Sequence, residues 1–378
     1  MEIPLSPISM IEIINKIEKE KGIRVIRFDI AEPMFTPPWD AIKGTVNALL
    51  KGYYRYSPSL GIIELRKAIS NYLKETRNLD YSEDEILVTV GGKFAVFSFF
   101  LGLLKHGDYV VLLRPYWSSY KAIALMLGIN TLEVWSKDPY HLDEESLKEI
   151  MSKRPKAIII NSPNNPTGGI LDINDIKLLK DLVEDYDIYV LSDEIDWAYV
   201  YDNRKFISPA SIENLREKTI IIDGFSKVFC MSGWRVGFAA GPKELIDKMK
   251  IVQEHTVSSP TTFAQFGCLS AIEKYREYIP IIVRECDRKR KFIVEELNKI
   301  NGIECPIPEG GFYVYPYIRL EKSTLELAHY LLLNGVAVIP GEFFGDNRNR
   351  LRLCYAISDE DISIGIERIS KSIEKIKK

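Results

Sequence analysis

The chain alternates short apolar runs with longer segments in which apolar residues recur at helical spacing. The short runs are near-continuous and rich in β-branched residues, which is typical of strands buried on both faces of a parallel sheet. The predicted strands are EILVTV (85–90), DYVVLL (108–113), KAIIIN (156–161), DIYVLSD (187–193) and TIIID (219–223). Helical patterns lie between them, as in GKFAVFSFFLGLLKHG (92–107) and NDIKLLKDLVEDY (174–186). This order predicts an α/β fold with a mostly parallel sheet flanked by helices.

The pattern changes after VGFAAGP (236–242), where long helical segments run to about residue 300. Beyond them a helix near 324–334 and a last helix at 359–377 accompany three strand-like segments, GGFYVYPYI, GVAVIPG and LRLCYAI. This part predicts a smaller α+β domain, on which the start of the chain packs. We therefore expect an N-terminal segment (1–40), a large domain (41–280) and a small C-terminal domain (281–378).

Composition and charge exclude several classes of partner. The 378 residues carry a net charge of −3, so neither a nucleic acid nor an acidic membrane is a favoured partner. The basic run RKRK (288–291) lies within a helical pattern and is interpreted as its solvated face.

Five cysteines without a CxxC spacing indicate reduced thiols rather than a disulfide framework or a zinc site. Without a recognisable signal peptide or an apolar run of ~18 residues, the protein is predicted to be cytoplasmic.

One lysine has a setting that a surface lysine does not need. Lys227 comes just after the apolar strand TIIID, between two glycine-containing turns, and Arg235 follows eight residues later. In α/β proteins the loops that follow strands build the functional site. Lys227 is therefore a candidate functional residue.

Two other loops also carry polar side chains at or beyond strand ends. Asn165 lies in NSPNNPTGG (161–169), where it either shapes a tight turn or offers its amide to a ligand hydroxyl. Asp193 ends the strand in LSDEID (191–196), and a carboxylate there is costly unless it is paired. It either serves as a helix cap or pairs with a structural cation, or it faces the cationic ring nitrogen of a cofactor.

Four further positions have both a structural and a functional interpretation. Gly91 and Gly92 begin a helix after a strand, where free N–H groups bind phosphate but where glycine also simply makes a turn. Trp117 lies just beyond a strand, as a core side chain or as a ring that stacks on a planar cofactor. Arg352 lies within an apolar strand, where it pairs with a structural carboxylate or with a substrate carboxylate.

Taken in order, the motifs form a series: Gly-Gly-Lys, Tyr-Trp, Asn-Pro-Thr-Gly, Ser-Asp-Glu-Ile, Ser-Lys, Gly-Trp-Arg-x-Gly-Phe and Arg-Leu-x-Tyr. The series resembles that of the fold-type I aminotransferases of the aspartate aminotransferase class, which use pyridoxal 5'-phosphate. The match extends from AEPMFTPP (31–38) to LRLCYAIS (351–358). It implies an enzyme that moves an amino group between an amino acid, with aspartate or glutamate expected, and a 2-oxo acid by ping-pong through pyridoxamine phosphate.

The resemblance implies a role for each of five motif residues. Lys227 would form the Schiff base with the cofactor and move the substrate proton. Asp193 would pair with the ring nitrogen, and Asn165 would hydrogen-bond the ring hydroxyl. Trp117 would stack on the ring, and Arg352 would bind the α-carboxylate of the substrate in a bidentate fork.

The resemblance also implies a phosphate site and a second subunit. The phosphate would be surrounded by Gly91, Gly92, Ser226 and Arg235, with Lys93 close by. Tyr56, in YYRYSPSLG, would reach the phosphate of the neighbouring subunit. A homodimer with shared active sites is therefore expected.

Two motifs depart from the family pattern, one at Asp196 and the other at Ala31 and Met34. Asp196 stands where the family usually has a Tyr that hydrogen-bonds the ring oxygen. We expect Asp196 to turn away or to be protonated, with Trp197 or Tyr199 filling the space, and the lost donor to raise the pKa of the Schiff base. Ala31, in AEPMF, stands where the family has Gly, so its N–H still serves the substrate carboxylate while its methyl narrows the approach.

Lys93 bears most on substrate choice. It either binds the distal carboxylate of a dicarboxylic substrate or only neutralises the phosphate. Aromatic residues such as Tyr53 and Trp197 would instead suit an aromatic or broad-range amino acid substrate. A carbon–sulfur lyase that uses the same cofactor and fold is a further alternative, kept open by the altered position 196. A regulatory protein with this fold would lack some of the residues that the reaction needs. This chain has all of them: Lys227, Asp193, Asn165, Arg235 and Arg352.

Overall fold

The computed structural model describes residues 10–320 and 323–376. Its strands are β1 (Ile26–Arg27), β2 (Ile86–Thr89), β3 (Tyr109–Arg114), β4 (Asn130–Trp135), β5 (Ala157–Asn161), β6 (Tyr189–Asp193), β7 (Thr219–Gly224), β8 (Gly237–Ala240), β9 (Ile303–Glu304), β10 (Tyr313–Val314), β11 (Tyr317–Ile318), β12 (Val336–Ala337), β13 (Ile339–Pro340) and β14 (Leu351–Cys354). Its α-helices are α1 (Met10–Lys21), α2 (Trp39–Leu50), α3 (Ile63–Arg77), α4 (Gly91–Leu103), α5 (Ser118–Met126), α6 (Glu144–Met151), α7 (Ile173–Tyr186), α8 (Glu213–Arg216), α9 (Lys243–Glu254), α10 (Thr262–Ile272), α11 (Tyr275–Asn298), α12 (Thr324–Leu333) and α13 (Asp359–Ile376).

A seven-stranded sheet forms the centre of the fold, in the order β2-β8-β7-β6-β5-β3-β4. Strand β8 runs antiparallel to both of its neighbours, and the other five strands between β7 and β4 pair in parallel. The predicted α/β class with a mostly parallel sheet is therefore confirmed. The carboxyl ends of β5, β6 and β7 meet at one edge of the sheet, where α/β proteins bind their ligands.

Both faces of the sheet are buried, which explains why its strands are apolar without a break. In β7, Ile221 packs in one hydrophobic cluster, whereas Ile220 and Ile222 pack in the cluster on the other face. Strand β2 divides in the same way, with Leu87 on one face and Val88 on the other. A period of two places alternate side chains on opposite faces, and helices cover each face.

The helix predicted at 92–107 ends earlier than expected. Helix α4 ends at Leu103, and Leu104 already has an extended backbone. The reason is a turn held by Asp108, whose carboxylate accepts a 2.7 Å hydrogen bond from the N–H of Lys105. Gly107, with φ of +88°, belongs to that turn rather than to the helix end.

Strands β7 and β8 form a hairpin whose loop, residues 225–236, carries Lys227 and Arg235. Gly224 pairs with Gly237 at the base of this loop. A Cβ on Gly224 would lie 2.7 Å from the Cα of Gly237, and a Cβ on Gly237 would lie 2.5 Å from the backbone nitrogen of Gly92. Glycines at both positions therefore let the hairpin approach the start of α4.

The N-terminal segment contacts the last part of the chain. Strand β1 pairs in parallel with β12, and Ile14 of α1 packs with Val25, Leu332 and Ala337. The predicted boundary between 280 and 281 falls inside α11, so the three domain ranges stay predictions. Within the described residues, no helix combines the length and the apolar character needed to cross a membrane.

Candidate active site

A cavity opens at the edge of the sheet where the parallel strands end. Its volume is about 470 Å³, and residues at the ends of β5 and β6 contribute to its wall. The predicted site residues that line it are Ala31, Gly92, Lys93, Trp117, Asn165, Asp193, Ser226, Lys227, Arg235 and Arg352. Side chains from seven separate motifs therefore meet in one place.

Two predicted site residues do not line this cavity. Gly91 precedes the lining residue Gly92 in the first turn of α4. Tyr56 lies outside the lining and is 88% exposed, so its contact with a second subunit stays a prediction.

Lys227 lies half-buried in the loop after β7. Its Nζ donates a hydrogen bond to the backbone carbonyl of Ala31. Burial lowers the pKa of Lys227, while the charge of Asp196 opposes this shift and that of Arg352 adds to it. A desolvated lysine with a lowered pKa has more of its neutral form, which is the nucleophilic and basic form of the amine.

Asp193 contributes a hydrogen-bonded carboxylate to the wall of the same cavity. Its Oδ2 accepts a 2.5 Å hydrogen bond from the hydroxyl of Tyr120, and its Oδ1 accepts a 3.2 Å bond from the N–H of Ile195. Burial raises the pKa of Asp193 to about 6, against the lowering effect of the Tyr120 hydrogen bond. Tyr120 is not among the predicted site residues, although its position three residues after Trp117 at a helix start was a usable signal.

The start of α4 and Arg235 form a cationic end of the cavity. Gly91 has φ of +73°, and a Cβ there would lie 2.5 Å from Nη2 of Arg235. Arg235 is held by a 2.8 Å hydrogen bond from Nη1 to the carbonyl of Ser232. Because the free N–H groups of a helix start and a guanidinium meet here, the end suits an anion such as phosphate.

Lys93 adds a further positive charge to this cavity. Its Nζ lies 5.1 Å from the ring centroid of Trp117, within the range of a cation–π contact. Burial lowers the pKa of Lys93, and the neighbouring charges of Arg235 and Lys227 lower it further. Trp117 lies at the cavity wall, which is the position needed for a ring that stacks on a planar cofactor.

Arg352 is buried in β14 and faces the cavity. Its Nη1 donates a 3.1 Å hydrogen bond to Oδ1 of Asn165, and its Nη2 donates to the backbone carbonyl of Asp29. Its Nε has no hydrogen-bond partner, and among the described residues no Asp or Glu forms an ion pair with it. A buried guanidinium without a protein carboxylate suits a carboxylate from a ligand.

Asp196 does not turn away from the site, contrary to one of the two sequence expectations. It is 1% exposed and lines the cavity, because the turn from Glu194 to Tyr199 places it on the same side as Asp193. Burial raises the pKa of Asp196 to about 7, so the protonated form that was the other expectation is accessible near neutral pH.

The two aromatic residues expected to fill the space near position 196 point elsewhere. Nε1 of Trp197 donates a 3.1 Å hydrogen bond to the hydroxyl of Tyr72. The hydroxyl of Tyr199 donates a 3.0 Å bond to the backbone carbonyl of Lys227. The phenol that reaches Asp196 is instead Tyr313, whose hydroxyl lies 3.4 Å from Oδ2.

Comparison with known proteins identifies the family. A sequence model of the family described as aminotransferase class I and II matches residues 23–369. A probable aspartate/prephenate aminotransferase of Aquifex aeolicus (strain VF5) is 37% identical over 368 residues, which cover 95% of this chain and 93% of that protein. The aspartate aminotransferase of Bacillus subtilis (strain 168) is 33% identical, with coverage of 98% and 97%.

Solved structures share the fold over nearly their whole length. The aspartate aminotransferase of Thermus thermophilus with maleate superposes with a TM-score of 0.92 at 32% identity, covering 98% of this chain and 97% of that one. An aromatic aminotransferase of Pyrococcus horikoshii OT3 gives 0.89 at 32% identity, covering 96% and 99%. The chain therefore belongs to the family of class I and II aminotransferases. Its activity is amino-group transfer, as the motif series predicted.

Proposed function

We propose that this aminotransferase binds pyridoxal 5'-phosphate in the cavity and transfers the amino group of aspartate or glutamate to a 2-oxo acid. The observation that carries the proposal is that a half-buried lysine, Lys227, shares one cavity with the buried carboxylate of Asp193. Each group matches a different part of such a cofactor: an amine for its aldehyde and a carboxylate for its ring nitrogen.

The remaining cavity residues fit the same cofactor. The start of α4 and Arg235 supply donors for a phosphate group, and the missing Cβ of Gly91 keeps the two close. Trp117 offers a ring face at the wall. Asn165 uses its Oδ1 for Arg352, which leaves its amide nitrogen to donate to a ring hydroxyl.

In this proposal each residue has a defined task. The bound cofactor supplies an electron sink and carries the amino group between the two half-reactions. Asp193, as a carboxylate, holds a proton at the ring nitrogen, and Lys227, as an amine, takes the proton from the substrate α-carbon. Arg352 orients the substrate by its α-carboxylate, so the bond to be broken faces Lys227.

Lys93 supports a dicarboxylic substrate. It is a partly buried cation next to Trp117, and the phosphate end already has Arg235. A second carboxylate on the substrate would therefore find an available positive charge. The relatives named for aspartate and prephenate fit this assignment, while the relative named for aromatic substrates keeps an aromatic amino acid as the second candidate.

We also propose a homodimer in the cytoplasm. Several large apolar side chains in and beside α2 are exposed, as expected of an interface: Met34, Trp39, Leu50, Tyr54 and Tyr56. Tyr56 would complete the phosphate site of the other subunit. The five unpaired cysteines fit a reducing compartment.

A single-turnover absorbance experiment tests the proposed reaction. The cofactor-loaded protein is mixed separately with glutamate, aspartate, tyrosine and cystathionine, and the cofactor band is followed. Bleaching by glutamate or aspartate, with recovery on adding a 2-oxo acid, is the expected result. Bleaching by tyrosine alone would replace the dicarboxylic assignment with the aromatic one, and pyruvate release from cystathionine would favour a lyase.

A further inference from the structure

One buried arginine joins the two strand ends that carry Asp193 and Lys227. Arg77 is the last residue of α3, and its side chain is 2% exposed. Its Nη1 donates a 2.7 Å hydrogen bond to Oε2 of Glu194, and its Nη2 donates to Oδ2 of Asp223. Glu194 directly follows Asp193 at the end of β6, and Asp223 lies in β7, four residues before Lys227. One guanidinium therefore connects both strand ends at the edge of the cavity.

The turn after β6 presents its side chains to two sides. Three residues at the strand end and in the turn line the cavity: Asp193, Ile195 and Asp196. The residues between and after them contact Arg77 instead. Glu194 is hydrogen-bonded to the guanidinium, and the ring centroid of Trp197 lies 4.8 Å from its Cζ, within the range of a cation–π contact. Arg77 therefore supports the turn through the side chains that do not line the cavity.

Glu194 and Asp223 would repel each other without Arg77. Both side chains are 1% exposed, and both accept a hydrogen bond from the same guanidinium, so the two carboxylates lie close together. Like charges repel strongly where water is excluded. The N–H of Glu194 donates a 2.8 Å hydrogen bond to the carbonyl of Ile222, so the repulsion would act where β6 and β7 pair.

We propose that Arg77 is a positioning residue of the active site, an inference that rests on the roles proposed for Asp193 and Lys227. Its two-pronged bridge fixes the distance between the carboxylate assigned to the ring nitrogen and the amine assigned to the aldehyde. A cofactor bound at both groups needs both in place, and a displacement of about 1 Å is enough to weaken such a contact. Arg77 is not among the described residues that line the cavity, so it acts through its two partners.

A double-mutant cycle on cofactor binding tests this role without measuring turnover. The Kd of pyridoxal 5'-phosphate is measured by calorimetry for the full-length wild type, Arg77→Met, Lys227→Ala and the double variant, each at a temperature at which it is folded. Arg77→Met should raise the Kd by about tenfold where Lys227 is present, and by less than about twofold in the Lys227→Ala background. A loss of folded protein would instead raise the Kd by the same factor in both backgrounds.

Arg290→Met is the matched control. Arg290 is also buried, and it bridges the carboxylates of Asp202 and Asp287. Its Cζ lies 4.4 Å from the ring centroid of Tyr201, much as Arg77 lies against an aromatic ring. None of these control residues is among the described residues that line the cavity. The variant should lower the thermal midpoint and leave the Kd of the cofactor unchanged.

Arg77→Lys keeps a positive charge between the two carboxylates and is the variant to use if Arg77→Met does not fold. A single ammonium lacks the planar fork that spans both partners. It should recover most of the stability, while its Kd should stay about three- to tenfold above that of the wild type where Lys227 is present. A wild-type Kd in Arg77→Lys, or an equal rise in both backgrounds of the cycle, overturns the inference.

The same titrations distinguish this inference from the proposed function, because the absorbance band of the bound cofactor is recorded with each Kd. A band that depends on Lys227, together with Arg77 variants that bind like the wild type, keeps the function and removes the positioning role. A wild type without such a band removes the proposed function, and the positioning role with it.

Discussion

The hydroxyl of Tyr120 donates a 2.5 Å hydrogen bond to Oδ2 of Asp193, and both side chains are buried. The bond favours the carboxylate form of Asp193, because a carboxylate accepts it more strongly than the neutral acid does. Tyr120 therefore offsets part of the pKa increase that burial imposes on Asp193. It is the supporting residue of the group proposed to face the cofactor ring.

Tyr120→Phe should weaken binding of pyridoxal 5'-phosphate. Without the hydrogen bond the pKa of Asp193 rises further above 6, so less carboxylate is present at neutral pH. We expect the Kd to increase by about tenfold near pH 7, from the loss of about 1.5 kcal/mol in a charge-assisted bond. The increase should shrink at higher pH, where Asp193 ionises in both proteins.

Tyr201→Phe is the matched control for this prediction. Its hydroxyl is equally buried and donates a 2.6 Å bond to the carbonyl of Gly311, away from the cavity. It should lower the thermal midpoint without a pH-dependent change in Kd. A Tyr120→Phe protein with the wild-type Kd at every pH would contradict the role given to Tyr120.

Arg77 should be critical for stability. Its guanidinium bridges the carboxylates of Glu194 and Asp223, and all three side chains are buried. Arg77→Met leaves two carboxylates without a counter-charge and should reduce the free energy of unfolding by about 3–5 kcal/mol. Urea unfolding measures this loss. Arg276→Ala, which removes an exposed pair with Glu75, should cost less than about 1 kcal/mol.

The loss in Arg77→Met should depend on pH in a defined direction. The pKa of Asp223 is already raised to about 6 by burial, with Arg77 opposing the increase. Removing Arg77 raises the folded-state pKa further above that of the unfolded chain, near 3.9. Such a group favours folding at low pH and destabilises the fold as pH rises through the folded pKa. The variant should therefore be relatively more stable near pH 5 than near pH 8.

Lys93→Met should separate dicarboxylic from other substrates. If Lys93 binds the distal carboxylate, the KM for aspartate and glutamate should rise by about 30- to 100-fold, equivalent to about 2–3 kcal/mol for a charge-assisted contact. The KM for alanine or phenylalanine should change by less than about threefold, because neither substrate offers a second carboxylate. A uniform rise for all substrates, together with weaker cofactor binding, would assign Lys93 to the phosphate.

Gly91→Ala should disturb the phosphate end in two ways. The residue has φ of +73°, which strains any side chain, and the new Cβ would lie 2.5 Å from Nη2 of Arg235. Gly107→Ala is the control, because φ there is +88° but nothing lies within 4 Å of the added Cβ. Both variants should lose about 1 kcal/mol of stability from the backbone. Only Gly91→Ala should also lose affinity for inorganic phosphate and for the cofactor, measured by calorimetry.

The central sheet was predictable because its strands are buried on both faces. Five apolar runs of the sequence correspond to β2, β3, β5, β6 and β7, with limits that differ by one or two residues. Strand β4 escaped prediction because it is an edge strand with partly exposed side chains, so its apolar run is interrupted. The reversal of β8 was also missed, since strand direction depends on pairing partners rather than on local composition.

Some residues of the candidate active site could also be predicted from local sequence, and others could not. Lys227, Asp193 and Arg235 could be found because each lies at or near the end of a strand in a recognisable motif. Tyr120 lies three residues after Trp117, but its role depends on a contact with Asp193 across 73 residues, which local sequence does not show. Whether Asp196 faces the cavity depends on the direction of the turn from Glu194 to Tyr199. Tertiary packing, and not local sequence, decides that direction.

The cavity is built from parts of the chain that meet over very different sequence distances. Lys227 and Arg235 belong to one hairpin loop, so forming β7 and β8 brings both into position. Ala31 reaches Lys227 across 196 residues, and Asp29 reaches Arg352 across 323. Closing long loops costs more entropy and slows assembly. We expect the loop that carries Lys227 and Arg235 to form early in folding and the carboxylate-binding part of the cavity only when the two ends of the chain come together, so that a nascent chain orders its lysine loop before it can select a substrate.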